Sequence, residues 1–241
     1  YKGYLLFNTD TTLACKMFDE AIQSGFNDPY AYYLRGLCQL YGGQESQALK
    51  DFNSAISLKP DFALAFHDRA GLKREKGDVQ GALFDYKTAT DLNPEFSIAF
   101  NNMGSVKIMM GDYQGGIADY TRAIELNPDM FMAYNNRGCA RYNMGDYETA
   151  LEDFNMAALL NGSFSVAKMN KANSLAMKQD YDAALNVLNE TINDLTDNAL
   201  LFVNRGLIRE LTGDKPGACS DWQKALDLGY TKAAEYLEEC N

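Results

Sequence analysis

A spacing of 34 residues governs most of this chain. Pro60, Pro94 and Pro128 fall on it, as do Gly77, Gly111 and Gly145 and the aromatic series Phe52, Tyr86, Tyr120 and Phe154. The unit is most complete between Ser97 and Met130, where two amphipathic helical patterns are followed by a stop signal. A period of this length predicts stacked helix pairs, because one pair cannot bury its apolar face alone and needs the next. Such an array has no single centre and grows by adding units, so all 241 residues are expected to form one elongated all-α domain.

Each helix boundary has its own chemical cause. In the unit starting at Ser97, a first helix (A) ends at Gly111, which accepts the left-handed backbone without a Cβ clash. Asp112 then caps the second helix (B), its carboxylate facing free amides and the positive end of the helix dipole. Gly77-Asp78, Gly145-Asp146 and Gly213-Asp214 repeat this pair. Helix B stops before Asn93-Pro94 and Asn127-Pro128, since proline lacks an amide proton and pushes its predecessor out of helical geometry. Six complete repeats result: 29–62, 63–96, 97–130, 131–164, 165–198 and 199–232. Residues 1–28 read as an incomplete repeat: the end of a helix to about Asn8, then a helix capped by Thr11 or Thr12 with Ala14, Phe18 and Ala21 on one face. Its missing half suggests further chain upstream. Residues 233–241 lie in a closing helix spanning Thr231 to about Cys240, with Ala234, Tyr236 and Leu237 turned inward.

Within the repeats, Gly36, Gly104, Gly138 and Gly206, with Ala70 and Ala172 in the same slot, sit in mid-helix, where glycine costs roughly 1 kcal/mol against alanine. That cost is explained if a partner helix must approach closely. Ala48, Ala82, Ala150, Ala184 and Ala218 supply small residues on helix B, and Phe52, Tyr86, Tyr120, Phe154 and Trp222 fill the space beside them. A small residue at the eighth place, Ala at the twentieth, an aromatic at the twenty-fourth, Ala at the twenty-seventh (Ala55, Ala89, Ala123, Ala157, Ala225) and Pro at the thirty-second together resemble the tetratricopeptide repeat family. The resemblance covers almost the whole chain. It implies a right-handed α-solenoid of antiparallel helix pairs, with A helices lining a concave groove. Gln179, Leu188, Thr191, Thr196 and Gly162 depart from the pattern, so kinks or looser packing are expected in the fourth and fifth repeats.

Charge narrows the partners. Against 22 Lys and Arg stand 33 Asp and Glu, a net charge of −11, which opposes the phosphate neutralisation that nucleic acid and anionic membrane surfaces require. No apolar run approaches the roughly 18 to 20 residues that span a bilayer. Cys15, Cys38, Cys139, Cys219 and Cys240 are odd in number, scattered and never in a CxxC pair. They are expected to be reduced core fillers, not a disulfide framework or metal site. That tilts localisation toward the cytoplasm, with a periplasmic or secreted setting open if a leader preceded Tyr1.

No constellation of catalytic residues stands out, and neither a cofactor nor a metal is implied. The single histidine, His67, has no nucleophile at motif spacing, and GDYQGG at Gly111–Gly116 is punctuation between helices. The feature above background is a column at the sixth place of helix A: Asp68, Asn102, Asn136, Asn170 and Asn204. In a regular stack these become successive rungs, and a carboxamide, offering donor and acceptor together, can pair a peptide main chain whatever its side chains. The column resembles the asparagine ladder of some peptide-binding tetratricopeptide and armadillo-type grooves. The alternatives are that these residues are merely polar positions on an exposed helix face, or that they bond the neighbouring repeat. Tyr33, His67, Asn101, Asn135 and Tyr142 border the column and complete the candidate peptide-binding set. Tyr30, Leu64, Ile98, Met132, Val166 and Leu200 share the second place, an apolar stripe that would invite a partner if left in water, although packing between adjacent A helices is the expectation. The lysines of a chaperone-type carboxylate clamp, which the resemblance would require at the second and fifth places, are absent, which disfavours acidic C-terminal peptides. A second column, Arg35, Arg69, Arg137 and Arg205, is followed sixteen residues later by Asp51, Asp85, Asp153 and Asp221, and predicts Arg–carboxylate staples between helices A and B. The expected function is a non-enzymatic scaffold holding an extended peptide or protein segment. The alternatives are self-association with an empty groove, or a targeting module of a larger enzyme.

Overall fold

A computed structural model describes residues 11–240. The stretch expected to end a helix at about Asn8 lies outside them. Among the described residues the fold is all helical: α1 (Thr11–Gln23), α2 (Pro29–Tyr41), α3 (Glu45–Leu58), α4 (Ala63–Glu75), α5 (Val79–Leu92), α6 (Ser97–Met109), α7 (Tyr113–Leu126), α8 (Phe131–Asn143), α9 (Tyr147–Leu160), α10 (Ser165–Met177), α11 (Tyr181–Asp194), α12 (Ala199–Leu211), α13 (Lys215–Asp227) and the short α14 (Ala233–Leu237), followed by a 3-10 turn, Glu238–Cys240. Helices α2 to α13 are the six A and B pairs. The chain forms two compact units, Tyr1–Leu126 and Asn127–Asn241.

The predicted punctuation is present. Asp112 accepts a bond of 2.9 Å from the Gly115 amide, and Asp78, Asp146, Asp180 and Asp214 cap their helices in the same way. Gly77, Gly111, Gly145 and Gly213 close the A helices at φ of 80° to 84°. At the equivalent place in the fifth repeat Gln179 is held at φ 65°, a conformation costing about 1 to 2 kcal/mol for a residue with a Cβ. The cost of that repeat's departures therefore falls on its turn, while Leu188 and Thr191 are fully buried. Helix α9 ends at Asn161 with nearly the same backbone geometry as Asn93, although Gly162 replaces proline there.

Close approach at the mid-helix glycines is direct. A Cβ on Gly36 would lie 2.7 Å from the ring of Phe52, on Gly104 2.9 Å from Tyr120, and on Gly138 2.7 Å from Phe154. Those rings, with Tyr86 and Trp222, are almost wholly buried. In the first unit Ala70, Ala82 and Tyr86 pack with Met103 and Val106 of the next A helix, so the Tyr86 ring joins its own pair to the following one. In the second unit Ala172, Ala184, Leu188, Leu201 and Phe202 form a larger cluster that reaches Ala233 of α14.

Two expectations at the ends need correction. Helix α1 begins at Thr11, so Thr11 and Thr12 lie inside its first turn and not ahead of it. The closing helix is shorter than expected and rotated: Ala233 is buried, Ala234 is exposed, and Tyr236 stacks on Trp222 with ring centroids 5.3 Å apart.

The cysteines depart most from expectation. Cys15 of α1 is bonded to Cys38 of α2, and Cys219 of α13 to Cys240, leaving Cys139 as the free thiol. Both bonds join a terminal segment to the repeat beside it. Closing loops of 23 and 21 residues removes unfolded-state entropy worth about 3 kcal/mol each. Such bonds persist in oxidising compartments, which removes the reason for favouring a reducing one. Thiol titration of the denatured, unreduced chain is expected to count one reactive cysteine, Cys139; a count of all five present in the sequence would contradict both bonds.

Candidate functional site

The Arg–Asp column is a set of staples inside the helix pairs. Arg69 donates to Asp85 through Nε and Nη2, both at 2.7 Å, and Arg35, Arg137 and Arg205 hold Asp51, Asp153 and Asp221 through the same two nitrogens. All four carboxylates are buried. A second cation, which sequence reasoning missed, comes from the eleventh place: Lys73, Arg141 and Arg209 reach Asp85, Asp153 and Asp221 at 2.8 Å. Where Met103 replaces the arginine, Lys107 stands alone at 2.7 Å from Asp119. Burial there pushes the Asp119 carboxyl above its usual range, against the pull of Lys107. Each staple guanidinium also lies over an aromatic ring at the fourth place, Tyr32, Phe66, Tyr134 or Phe202, 5.2 to 5.7 Å from its centroid.

The sixth-place column occupies a different face of the A helices, and its residues are half-buried. In the first unit Tyr33 donates to Asp68 at 2.7 Å, and His67 Nδ1 lies 2.8 Å from the same carboxylate. His67 Nε2 lies 3.0 Å from Asn102 Nδ2, and Asn101 donates to Asn102 Oδ1 at 3.2 Å. Because an amide nitrogen can only donate, this chain suits a neutral imidazole carrying its proton on Nδ1. Both nitrogens are then occupied, which leaves His67 a bracing role. Burial and the Asp68 carboxylate push the Tyr33 phenol well above its ordinary range.

In the second unit Asn170 donates to Asn135 Oδ1 at 3.0 Å and to Cys139 Sγ at 3.4 Å. Asn204 donates to the Leu200 carbonyl at 2.7 Å and lies 3.7 Å from Met169 Sδ. The donors of Asn102, Asn170 and Asn204 are therefore spent within the fold, chiefly on the fifth place of the preceding repeat; Asn102 Oδ1 is also taken, by Asn101, while the side-chain oxygens of Asn170 and Asn204 remain for a ligand. Asn101 and Asn135, at 8% and 7% exposure, brace the rungs from below. Asn136 belongs to the same half-buried class. Tyr142 borders a cavity of about 240 Å³ together with Cys139, Asn143, Phe154, Asn170 and Asn173.

The second place corrects an expectation. Tyr30, Leu64 and Ile98 in the first unit, and Met132, Val166 and Leu200 in the second, are 40% to 51% exposed and do not disappear between A helices. At the other end of three of these helices Met109, Met177 and Leu211, at the thirteenth place, are also exposed. Every A helix thus leaves an apolar side chain exposed at its second place, and α6, α8, α10 and α12 carry an asparagine at the sixth.

Models of the family described as Tetratricopeptide repeat match residues 30–61, 98–130 and 131–164. The chain is a tetratricopeptide-repeat protein. Its fold, an all-α solenoid of helix pairs, is that of the C-terminal part of a TPR repeat-containing protein from Cytophaga hutchinsonii, 20% identical with 97% of each chain covered and a TM-score of 0.75. It is also similar to YrrB, described as a TPR protein with an unusual peptide-binding site, at 20% identity over 78% of this chain and 97% of that one, with a TM-score of 0.62. A chain of the APC/C hetero-tetramer Cut9-Hcn1 is 19% identical over 92% of this chain, with a TM-score of 0.73, and the match spans 44% of that chain's length. At these identities the likeness is one of fold. No curated protein matches the chain in sequence. Tetratricopeptide-repeat arrays are protein-interaction scaffolds, generally without enzymatic activity. Among the described residues no helix of this one is long and apolar enough to cross a membrane, and no cluster of three His, Cys, Asp or Glu side chains could hold a metal.

The staples bind helix A to helix B within each pair. Arg137→Glu leaves Asp153, 2% exposed, facing a buried like charge and should lower stability to urea by about 3 kcal/mol or more. Unchanged stability with lost partner binding would reassign the column to recognition.

Proposed function

We propose that this tetratricopeptide-repeat protein is a non-enzymatic scaffold whose A helices hold an extended, largely uncharged segment of another protein. The observation that carries the reading is the second-place row, an apolar side chain left about half exposed in all six repeats, with the unspent side-chain oxygens of Asn170 and Asn204 on the same helices. Apolar surface repeated in this way in water favours a partner that covers it. The rungs add direction, accepting amide protons from a main chain that has no other partner for them.

Charge defines the kind of segment. At the second, fifth, sixth, ninth, twelfth and thirteenth places of the six repeats, only Asp68, Arg74, Glu75 and Glu210 carry a full charge. The net charge of −11 therefore lies elsewhere, and the wall offers a charged peptide little compensation for lost water. YrrB, with its described peptide-binding site, is a precedent for the general reading on a similar fold.

Each rung bond contributes a net of about 0.5 to 1.5 kcal/mol, which several kcal/mol of association and ordering cost consumes. The exposed apolar row must then supply most of the affinity, and a dissociation constant of about 1 μM is expected. Replacing Leu64, Ile98, Met132 and Val166 together with Ser should leave helicity and cooperative unfolding intact, because these side chains already face water. It should weaken binding of a peptide selected from a random display library by about tenfold or more. Undiminished affinity would place the partner on another surface.

A further inference from the structure

We propose that the cavity between α8 and α10 in the second unit is a side-chain pocket that selects an uncharged residue with both a donor and an acceptor, a glutamine or asparagine of the bound segment. This rests on the scaffold reading above and adds a preference at one position. The cavity holds about 240 Å³, several times the roughly 30 Å³ share of one water, so a hydroxyl-bearing serine would leave it largely unfilled. It is lined by Phe154, which is 1% exposed, and by Tyr142, Cys139, Asn143, Asn170 and Asn173.

Three carboxamides converge there. The NH2 of Asn170 is spent on Asn135 and Cys139, which leaves its oxygen as an acceptor. Among the described residues the side chains of Asn143 and Asn173 make no hydrogen bond, so both ends of each amide are available to a ligand. An aliphatic occupant would strip these groups of water and return nothing, whereas an amide can pair with them in both directions.

No formal charge lines the cavity. Arg141, the nearest cation along α8, is committed to Asp153 at 2.8 Å. Burial pushes the Cys139 thiol up to about 11, so the sulfur is neutral at physiological pH. A carboxylate would enter without a counter-ion into a chain of net charge −11, and a lysine or arginine would find no acidic partner in the lining. The arrangement is specific to one junction. Asn143 and Asn173 occupy the thirteenth place of one repeat and the ninth of the next, where the sequence elsewhere has Tyr41 with Gly71, Glu75 with Ser105, Met109 with Cys139, and Met177 with Leu207.

The test uses peptides selected from a random display library on the intact chain, with affinities measured by fluorescence anisotropy. The selected peptides are expected to share one Gln or Asn position. Changing that residue to Glu or Leu should weaken binding by about tenfold, and N143A/N173A should abolish the discrimination while retaining residual binding. If peptides are selected but the shared position is charged or aliphatic, or the discrimination survives in N143A/N173A, the pocket assignment falls and the scaffold reading stands. If the chain selects no peptide, both fall.

Discussion

A ring from helix B seated against a small residue of helix A is the contact on which every later feature depends. With no side chain at Gly36, Gly104 or Gly138, the rings of Phe52, Tyr120 and Phe154 come within contact of the A-helix backbone, and the alanines of the twentieth and twenty-seventh places are completely buried around them. Burying one such ring contributes about 2 to 3 kcal/mol. It also fixes the rotation of each A helix about its axis. That rotation turns the seventh place toward helix B, sets the sixth along the junction with the preceding repeat, and leaves the second in water.

Charge is sorted by the same geometry. The seventh and eleventh places point their cations at a buried aspartate of helix B, so a costly ion is held by two donors and by an aromatic ring under the guanidinium. Such staples specify the pairing of A with B more than they add stability, since a buried pair returns little beyond its desolvation cost. Because these cations are consumed within the pairs, the exposed face of the A helices is left with carboxamides, thioethers and aliphatic groups. A partner meeting that face is recognised through shape and hydrogen bonding, with little contribution from long-range electrostatic steering.

Where the controlling physics is local or periodic, the sequence was legible. Gly111 and Asp112 announce a turn through backbone conformation and capping, and Arg69 with Asp85 shows a staple because the spacing recurs. The disulfides were not legible, since Cys15 and Cys38 or Cys219 and Cys240 follow no motif and meet only when a terminal segment folds back on its neighbour. The second-place row was misjudged because a periodic apolar position reads the same whether the stack covers it or leaves it out. The rungs were legible as a column but not in orientation: that Asn170 and Asn204 spend their donors inward depends on Asn135, Cys139, Met169 and Leu200 in three dimensions. Gln179 was recognised as a departure. That its cost is paid in backbone conformation required the φ angle.

The central claim, that a partner segment lies along the sparsely charged face of the A helices, is tested most directly by side-chain amide NMR spectra of the chain titrated with a selected peptide. The account predicts that the NH2 resonances of Asn143 and Asn173 move with increasing peptide while backbone amides along the solvent side of helices α5 and α9 stay in place. Shifts confined to those B helices, with both carboxamides unmoved, would contradict it.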